Sequence, residues 1–191
     1  DILKELSKQS YIDQKILTEI SDYSLEQVDH SLNELIRKGF IKEDHTLTEL
    51  GIKELEKKNP KNAIILAAGL GLRMVPINTK IPKGLLNVRG EILIERLIDQ
   101  LHEVGTKNIY IVVGFMAEKF EYLKEKYGVN LIYNEDFALN DTLHSLSLAK
   151  EYLGNSYILP SDIYCEINPF SKRELYSWYM VSDTPDAKSI L

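Results

Sequence analysis

Four short runs, Ala63–Ala68, Asn108–Gly114, Val129–Tyr133 and Tyr157–Leu159, carry apolar residues with little polar alternation. A strand that is apolar on both faces must be covered on both, which is the situation of a parallel sheet between helices. The stretches between these runs have helical periodicity instead. Ile92–Gly105 sets Ile94, Leu97, Ile98 and Leu101 inward, Ala117–Tyr127 sets Phe120, Leu123 and Tyr127 on one face, and Thr142–Leu153 follows the third run. Strand and helix in alternation predict a doubly wound, mostly parallel α/β sheet of Rossmann-like form, whose ligands bind outside the carboxyl ends of the strands.

The first sixty residues read differently. Ile12, Ile16, Leu17 and Ile20 recur at helical spacing, and Ser24-Leu25-Glu26-Gln27 has the form of a capping box that opens a helix through Leu32 and Ile36. Gly39 is placed to end that helix, Phe40-Ile41-Lys42 reads as a short strand, and Thr48 as the N-cap of a further helix. Three helices, a short wing and a helix give the order of a small winged-helix domain, and the stretch from Leu32 to Gly51 resembles MarR-like regulators. The charged, proline-containing segment Lys57–Asn62 divides the chain, with 1–59 expected as the winged-helix domain and 60–191 as the α/β domain.

Charge weighs against the DNA binding that such a domain suggests. Residues 1–60 hold nine Lys/Arg against thirteen Asp/Glu, a net −4, and the chain as a whole carries −6. Non-specific DNA affinity comes from neutralising phosphates, and this surface would be repelled. Packing against the α/β domain, a homodimer contact or regulation is expected instead. The single cysteine, Cys165, excludes an internal disulfide framework and fits a reducing cytoplasm. No apolar run is long enough to span a membrane. The start at Asp1 and the apolar end Ser189-Ile190-Leu191 suggest a piece of a longer protein, truncated within its α/β domain.

The chemistry concentrates in Leu66-Ala67-Ala68-Gly69-Leu70-Gly71-Leu72-Arg73-Met74, followed by Pro82-Lys83. Small residues after a buried strand let backbone N–H groups come close to phosphate oxygens. Arg73 adds a fixed cation with several donors, suited to a triphosphate tail. Pro82 fixes the backbone ahead of Lys83, holding an ammonium at the mouth of the site. The pattern is neither Gly-x-x-x-x-Gly-Lys-Ser/Thr nor Gly-x-Gly-x-x-Gly, since position 74 is Met. A second element is Asp162, a carboxylate just beyond the strand Tyr157–Leu159 and so on the ligand face. A third is Asn134-Glu135-Asp136 with Asn140-Asp141-Thr142, where Asn140 or Asp141 could equally cap the next helix. His102, His144, Met74 and Cys165 need no special role.

These residues resemble the nucleotidyltransferases that make NDP-sugars and CDP-alcohols, whose pattern is Leu-Ala-Ala-Gly-x-Gly-x-Arg-Met and then Pro-Lys. The resemblance spans about residues 62–185. It implies that Leu66 to Gly71, with Asn140, Asp141 and Thr142, bind the nucleotide, that Arg73 and Lys83 are catalytic, and that Asp162 is catalytic as a ligand of Mg²⁺. A second acidic ligand, which the family draws from a later strand, is expected beyond Leu191. The run Asp141-Thr142-Leu143-His144-Ser145-Leu146, continuing as Ala149-Lys150-Glu151-Tyr152-Leu153, resembles CTP:phosphocholine cytidylyltransferases more than sugar enzymes, although Asp141-Thr142 replaces an Asn pair. The implied reaction moves CMP from CTP to phosphocholine or a similar phosphorylated alcohol. Tyr164 is then a candidate for the acceptor, since aromatic faces hold quaternary ammonium groups; Tyr176, Trp178 and Tyr179 fit that role or a plain core role. The alternatives are an NDP-sugar pyrophosphorylase using UTP or dTTP and a nucleotide-sensing winged-helix regulator. Proteins of this kind sometimes carry a kinase-like domain downstream.

Overall fold

A computed structural model describes residues 2–8, 13–71, 80–139 and 142–181. They fall into two compact units, one formed by the described residues up to Lys58 together with 173–181, the other by Asn59–Lys172.

The first unit is helical. Helices α1 (Ile2–Leu6), α2 (Gln14–Ser21), α3 (Leu25–Arg37) and α4 (Glu49–Glu56) have their ends set by local chemistry. Asp13 caps α2, and Ser24 and Gln27 close a reciprocal capping box on α3. At the other end of α3, Gly39 N–H donates to Ile36 O at 2.8 Å and Phe40 N–H to Leu35 O at 2.9 Å. That bond pair is a Schellman motif, with Gly39 at φ +71°. A short antiparallel hairpin follows, through the bridge between Ile41 and Leu47, and Thr48 caps α4 as its sequence suggests. Ile2, Leu6, Leu17, Val28, Leu32 and Ile41 form the core. Of the periodic residues on α2 only Leu17 is buried; Ile16 and Ile20 are about half exposed, at 49% and 51%. One apolar contact row is all that an eight-residue helix presents to so small a core.

The second unit holds the parallel sheet that the apolar runs predict. Strands β1 (Asn62–Ala67), β4 (Ile109–Val113), β5 (Asn130–Tyr133) and β6 (Ser156–Pro160) pair in the order β5-β4-β1-β6, all parallel. β1 lies in the middle, with Leu66 opposite Val112 on one side and Pro160 on the other. The two central strands, β1 and β4, bury both faces, whereas the outer strands β5 and β6 leave Tyr133 and Ile158 about half exposed. Ala63, Ile65, Ala67, Ile109, Ile111 and Val113 meet helix α5 (Leu93–Glu103) and Phe120 and Leu123, the latter on α6 (Tyr122–Tyr127). Ile64, Ala68 and Val112 meet the opposite layer with Ala149, Leu146 and Tyr152, behind α7 (Thr142–Leu148). The rings of Tyr110 and Tyr152 stack there at 3.8 Å.

Two expected helices are broken. Ala117–Phe120 is a 3-10 turn entered through Met116 at φ +53°, and α6 begins only at Tyr122. The helix expected over Thr142–Leu153 ends at Leu148 and gives way to a 3-10 turn at Lys150–Tyr152. The β2–β3 hairpin (Asn87–Val88, Glu91–Ile92) lies just ahead of α5 and turns at Arg89-Gly90, both at positive φ. That combination is the backbone of a type I′ turn, here without the usual Asn-Gly signal.

Candidate active site

The carboxyl edge of the sheet gathers most of the predicted residues. Beyond the strand ends the backbone stays laced: Phe115 N–H donates to Ala68 O at 3.1 Å, Asn134 N–H to Val113 O at 2.8 Å and Ser161 N–H to Leu66 O at 3.1 Å. Leu66 and Ala67 close β1, with Ala67 and Ala68 buried, and Gly69, Leu70 and Gly71 lead out of the sheet. Gly71 sits at φ +64°, a left-handed turn that an L side chain resists. Arg73 lies outside the described residues, as do Asn140 and Asp141. Thr142 is the first residue of α7.

Lys83 and Asp162 are 79 residues apart in sequence and meet in space. Pro82, at φ −56°, leads into a 3-10 turn over Lys83–Leu85. Leu85 N–H donates to Pro82 O at 2.9 Å, and Leu93 N–H, at the start of α5, donates to Leu86 O at 3.1 Å. The turn is thereby tied to a core helix, and Lys83 Nζ lies 3.0 Å from Asp162 Oδ2. Both side chains are partly exposed, so the pair borders solvent. Lys119, on the turn after β4, donates its ammonium to Lys80 O, fastening the segment ahead of Pro82.

Sequence reasoning missed the groups that hold the segment after Asp162. Arg96 and Gln100 project from α5 one helical turn apart. Arg96 Nε donates to Cys165 O at 2.9 Å and Nη2 to Glu166 O at 2.7 Å, while Nη1 pairs with Glu91 at 2.5 Å. Gln100 Nε2 reaches the same Cys165 carbonyl at 2.9 Å. Two long polar side chains at i and i+4 on an amphipathic helix do not by themselves signal such a clamp. Tyr164 lies under this clamp, its ring centroid 4.8 Å from the Arg96 guanidinium and 5.5 Å from that of Arg89. Its aromatic surface thus already serves cations from within the chain. Tyr176, Trp178 and Tyr179 belong to the helical unit and are exposed.

Asn134 is likewise structural in this state. It is buried, donates to Ser145 Oγ at 3.0 Å and accepts from Asp136 N–H at 3.1 Å, fixing the start of the loop ahead of α7 to that helix. Burial raises the Cys165 thiol above its ordinary range, so it stays protonated near neutral pH, although the charge of Arg96 pulls the other way. His102 packs near Tyr127 with ring centroids 6.4 Å apart. A groove of about 610 Å³ runs beside α5, lined by Glu91, Asp99, Glu103 and Glu166 with Arg96 and His102. Its acidic balance suits it poorly to phosphate, and neither Lys83 nor Asp162 lines it. No helix among the described residues is long and apolar enough to cross a membrane.

The site thus offers a close backbone turn, an ammonium and a carboxylate at the end of a parallel sheet. The choline-phosphate cytidylyltransferase of Streptococcus pneumoniae is 48% identical over 108 residues, covering 56% of this chain and 47% of its own. That of Haemophilus influenzae is 40% identical over 118 residues, covering 62% of this chain and 51% of its own. The solved CTP:phosphocholine cytidylyltransferase of Streptococcus pneumoniae superposes with a TM-score of 0.57 at 47% identity, over 58% of this chain and 49% of that one. The chain spans about half the length of the curated relatives it matches. The pattern of the MobA-like NTP transferase domain matches residues 63–165, from the start of the central strand to just beyond Asp162, and this chain belongs to that family.

Proposed function

We propose that this chain carries the nucleotide-binding part of a cytidylyltransferase, which moves CMP from CTP to phosphocholine or a similar phosphorylated alcohol and releases pyrophosphate. The observation that carries the reading is the Lys83–Asp162 pair, 3.0 Å apart at the carboxyl edge of the sheet that the Gly69–Gly71 loop also leaves, in a chain 48% identical over 108 residues to a choline-phosphate cytidylyltransferase.

In the proposed reaction an oxygen of the acceptor's phosphate attacks the α-phosphorus of CTP. The bond from that phosphorus to the oxygen bridging it to the β-phosphate breaks, and pyrophosphate leaves with the electron pair. The attacking oxygen is already anionic near neutral pH, so no side chain has to remove a proton. The protein's work is to position the groups and neutralise charge. The backbone from Ala67 to Gly71 holds the nucleotide, with Asn140, Asp141 and Thr142 at its base. Lys83 offsets the repulsion between the α-phosphate and the incoming phosphate, and Arg73 stabilises the departing pyrophosphate.

Among the described residues no three His, Cys, Asp or Glu side chains gather to hold a metal on their own. Among the described residues, Asp162 offers a hard oxygen donor at the proposed phosphate site. That donor set fits Mg²⁺, which takes one or two carboxylates and completes its shell with phosphate oxygens and water. Held by Asp162, the ion would supply Lewis-acid polarisation of the phosphates. Tyr164, whose ring lies near Arg89 and Arg96, is the proposed acceptor-binding aromatic.

The helical unit is read as a winged helix. The order of α1–α3, the hairpin around Ile41 and Leu47, and α4 supports this. Its acidic balance favours a packing, dimer or regulatory role over DNA, and a salt-sensitive gel shift with generic duplex DNA would overturn that.

Thermal stability with Mg²⁺ and each of CTP, UTP, dTTP, ATP and GTP tests the nucleotide, because a ligand of the native state raises stability by mass action. The expected result is a shift with CTP that phosphocholine enlarges. A shift with UTP or dTTP alone would move the reading to sugar-phosphate enzymes.

A further inference from the structure

We propose that Gly84 and Ser161 are a matched steric pair whose close approach fixes Lys83 against Asp162. The inference rests on the transferase reading for its catalytic consequence, though its geometry stands apart from it. Gly84 is buried beside the end of β6. A β-carbon built on it would lie 2.8 Å from Ser161 Cβ, 2.9 Å from Ser161 Oγ and 3.3 Å from Ser161 O. Each member of this contact is the chain neighbour of one member of the ion pair, so the spacing at 84–161 sets the spacing at 83–162.

Neither side can give way cheaply. Ser161 is fully buried, and its N–H is bound to Leu66 O on the central strand at 3.1 Å. The turn bearing Gly84 is closed by its own backbone bonds and tied through Leu86 to the first residue of α5. A methyl group at position 84 must therefore lift the turn away from β6 and carry Lys83 with it. The Ser161 hydroxyl has no hydrogen-bond partner among the described residues. Its removal forfeits no described bond, so Ser161 acts here by volume. Gly84 and Ser161 are positioning residues, acting through the pair they bracket.

The test is a double-mutant cycle of the full chain: wild type, Gly84→Ala, Ser161→Gly and the two together. Gly84→Ala is expected to lower kcat by up to about 10²-fold, the scale of an ångström-level misplacement. Ser161→Gly, which takes volume from the other side of the contact, should lower kcat by less than Gly84→Ala does, and the double variant should recover to within about threefold of Ser161→Gly, since coupling of this kind belongs to residues in contact. A merely structural clash would lower the melting temperature and the folded fraction but leave kcat per folded molecule unchanged, so kcat is normalised to the folded fraction. Ser161→Thr, which enlarges the other partner, should act in the same direction as Gly84→Ala and serves if that variant does not fold. Wild-type kcat in Gly84→Ala, or no recovery in the double variant, overturns the proposal. If the wild type turns over no nucleotide, the transferase reading fails, but crystal structures of wild type and Gly84→Ala still decide this point. The Lys83 Nζ to Asp162 Oδ2 separation must lengthen beyond ion-pair reach in the variant, and an unchanged separation contradicts the inference.

Discussion

The two units of this chain are specified by opposite means. In the helical unit, ends are written locally: Asp13, Ser24 with Gln27, Gly39 and Thr48 each satisfy backbone groups within a few residues. That precision accompanies a small core and half-exposed isoleucines on α2. In the α/β unit the reverse holds. Helix α5 follows Ile92 with no side-chain cap, and α6 follows Glu121 with none, yet their inward residues Leu97, Leu101 and Leu123 are fully covered. Long-range burial overrides weak local signals there. The candidate active site inherits this character, because its Lys83–Asp162 pair joins residues that only the sheet brings together.

The largest effect that follows is on turnover. Lys83→Ala should lower kcat by about 10²–10³-fold, the range for removing one preorganised charge-stabilising group, while the melting temperature stays near wild type. Collapse of the fold in that variant would mean that the pair is structural. Next, Leu97→Ala empties a fully covered site between α5 and the sheet and should cost about 3 kcal/mol in denaturant unfolding. A loss under about 1 kcal/mol would contradict the claim that burial holds the α/β unit. Arg96→Met removes two bonds to the segment after Asp162 and should reduce kcat by about tenfold, with Arg96→Lys restoring part of it. On the helical side, Ser24→Ala should cost about 1 kcal/mol, the ordinary worth of a cap. A negligible cost would blur the contrast between the units.

The smallest effect concerns pH, on the α5–α6 contact. Burial pushes the Glu95 carboxyl up, but the hydrogen bonds from Lys126 and Tyr122 outweigh it, so its pKa lies below the ordinary value. Its contribution is present above the unfolded pKa and is lost as pH falls through the lower folded value. Asp99 is opposite: burial first of all raises its pKa, so it costs stability at neutral pH and the cost fades as pH falls. Glu95→Gln should flatten the acid limb of a stability profile from about pH 7 to pH 3, whereas Asp99→Asn should raise stability at neutral pH and steepen that limb. Profiles that both variants leave unchanged would show that these two carboxylates do not govern this contact.

Much of this architecture was legible in the sequence, for identifiable reasons. Ile94, Leu97, Ile98 and Leu101 are the buried face of α5 as their spacing indicates, and the apolar runs became the four parallel strands. Ser24 and Thr48 cap as read, because capping is a matter of a few neighbouring atoms. The breaks at Met116 and after Leu148 were not legible, since an apolar period continues across a change from 3-10 to α geometry. Lys83 and Asp162 could each be singled out by type and place, but their meeting depends on β1 lying between distant segments. The Arg96–Gln100 clamp and the Gly84–Ser161 contact were invisible for the same reason: their partners are backbone carbonyls and a side chain more than sixty residues away.

The central claim is most directly tested by incubating the purified chain with Mg²⁺, CTP and phosphocholine, and following pyrophosphate release together with the CDP-linked product by mass spectrometry. Pyrophosphate and CDP-choline formed in equal amounts, dependent on phosphocholine and abolished in Asp162→Ala, is the predicted result. Pyrophosphate formed instead from UTP or dTTP with a sugar phosphate, with none from CTP, would contradict it.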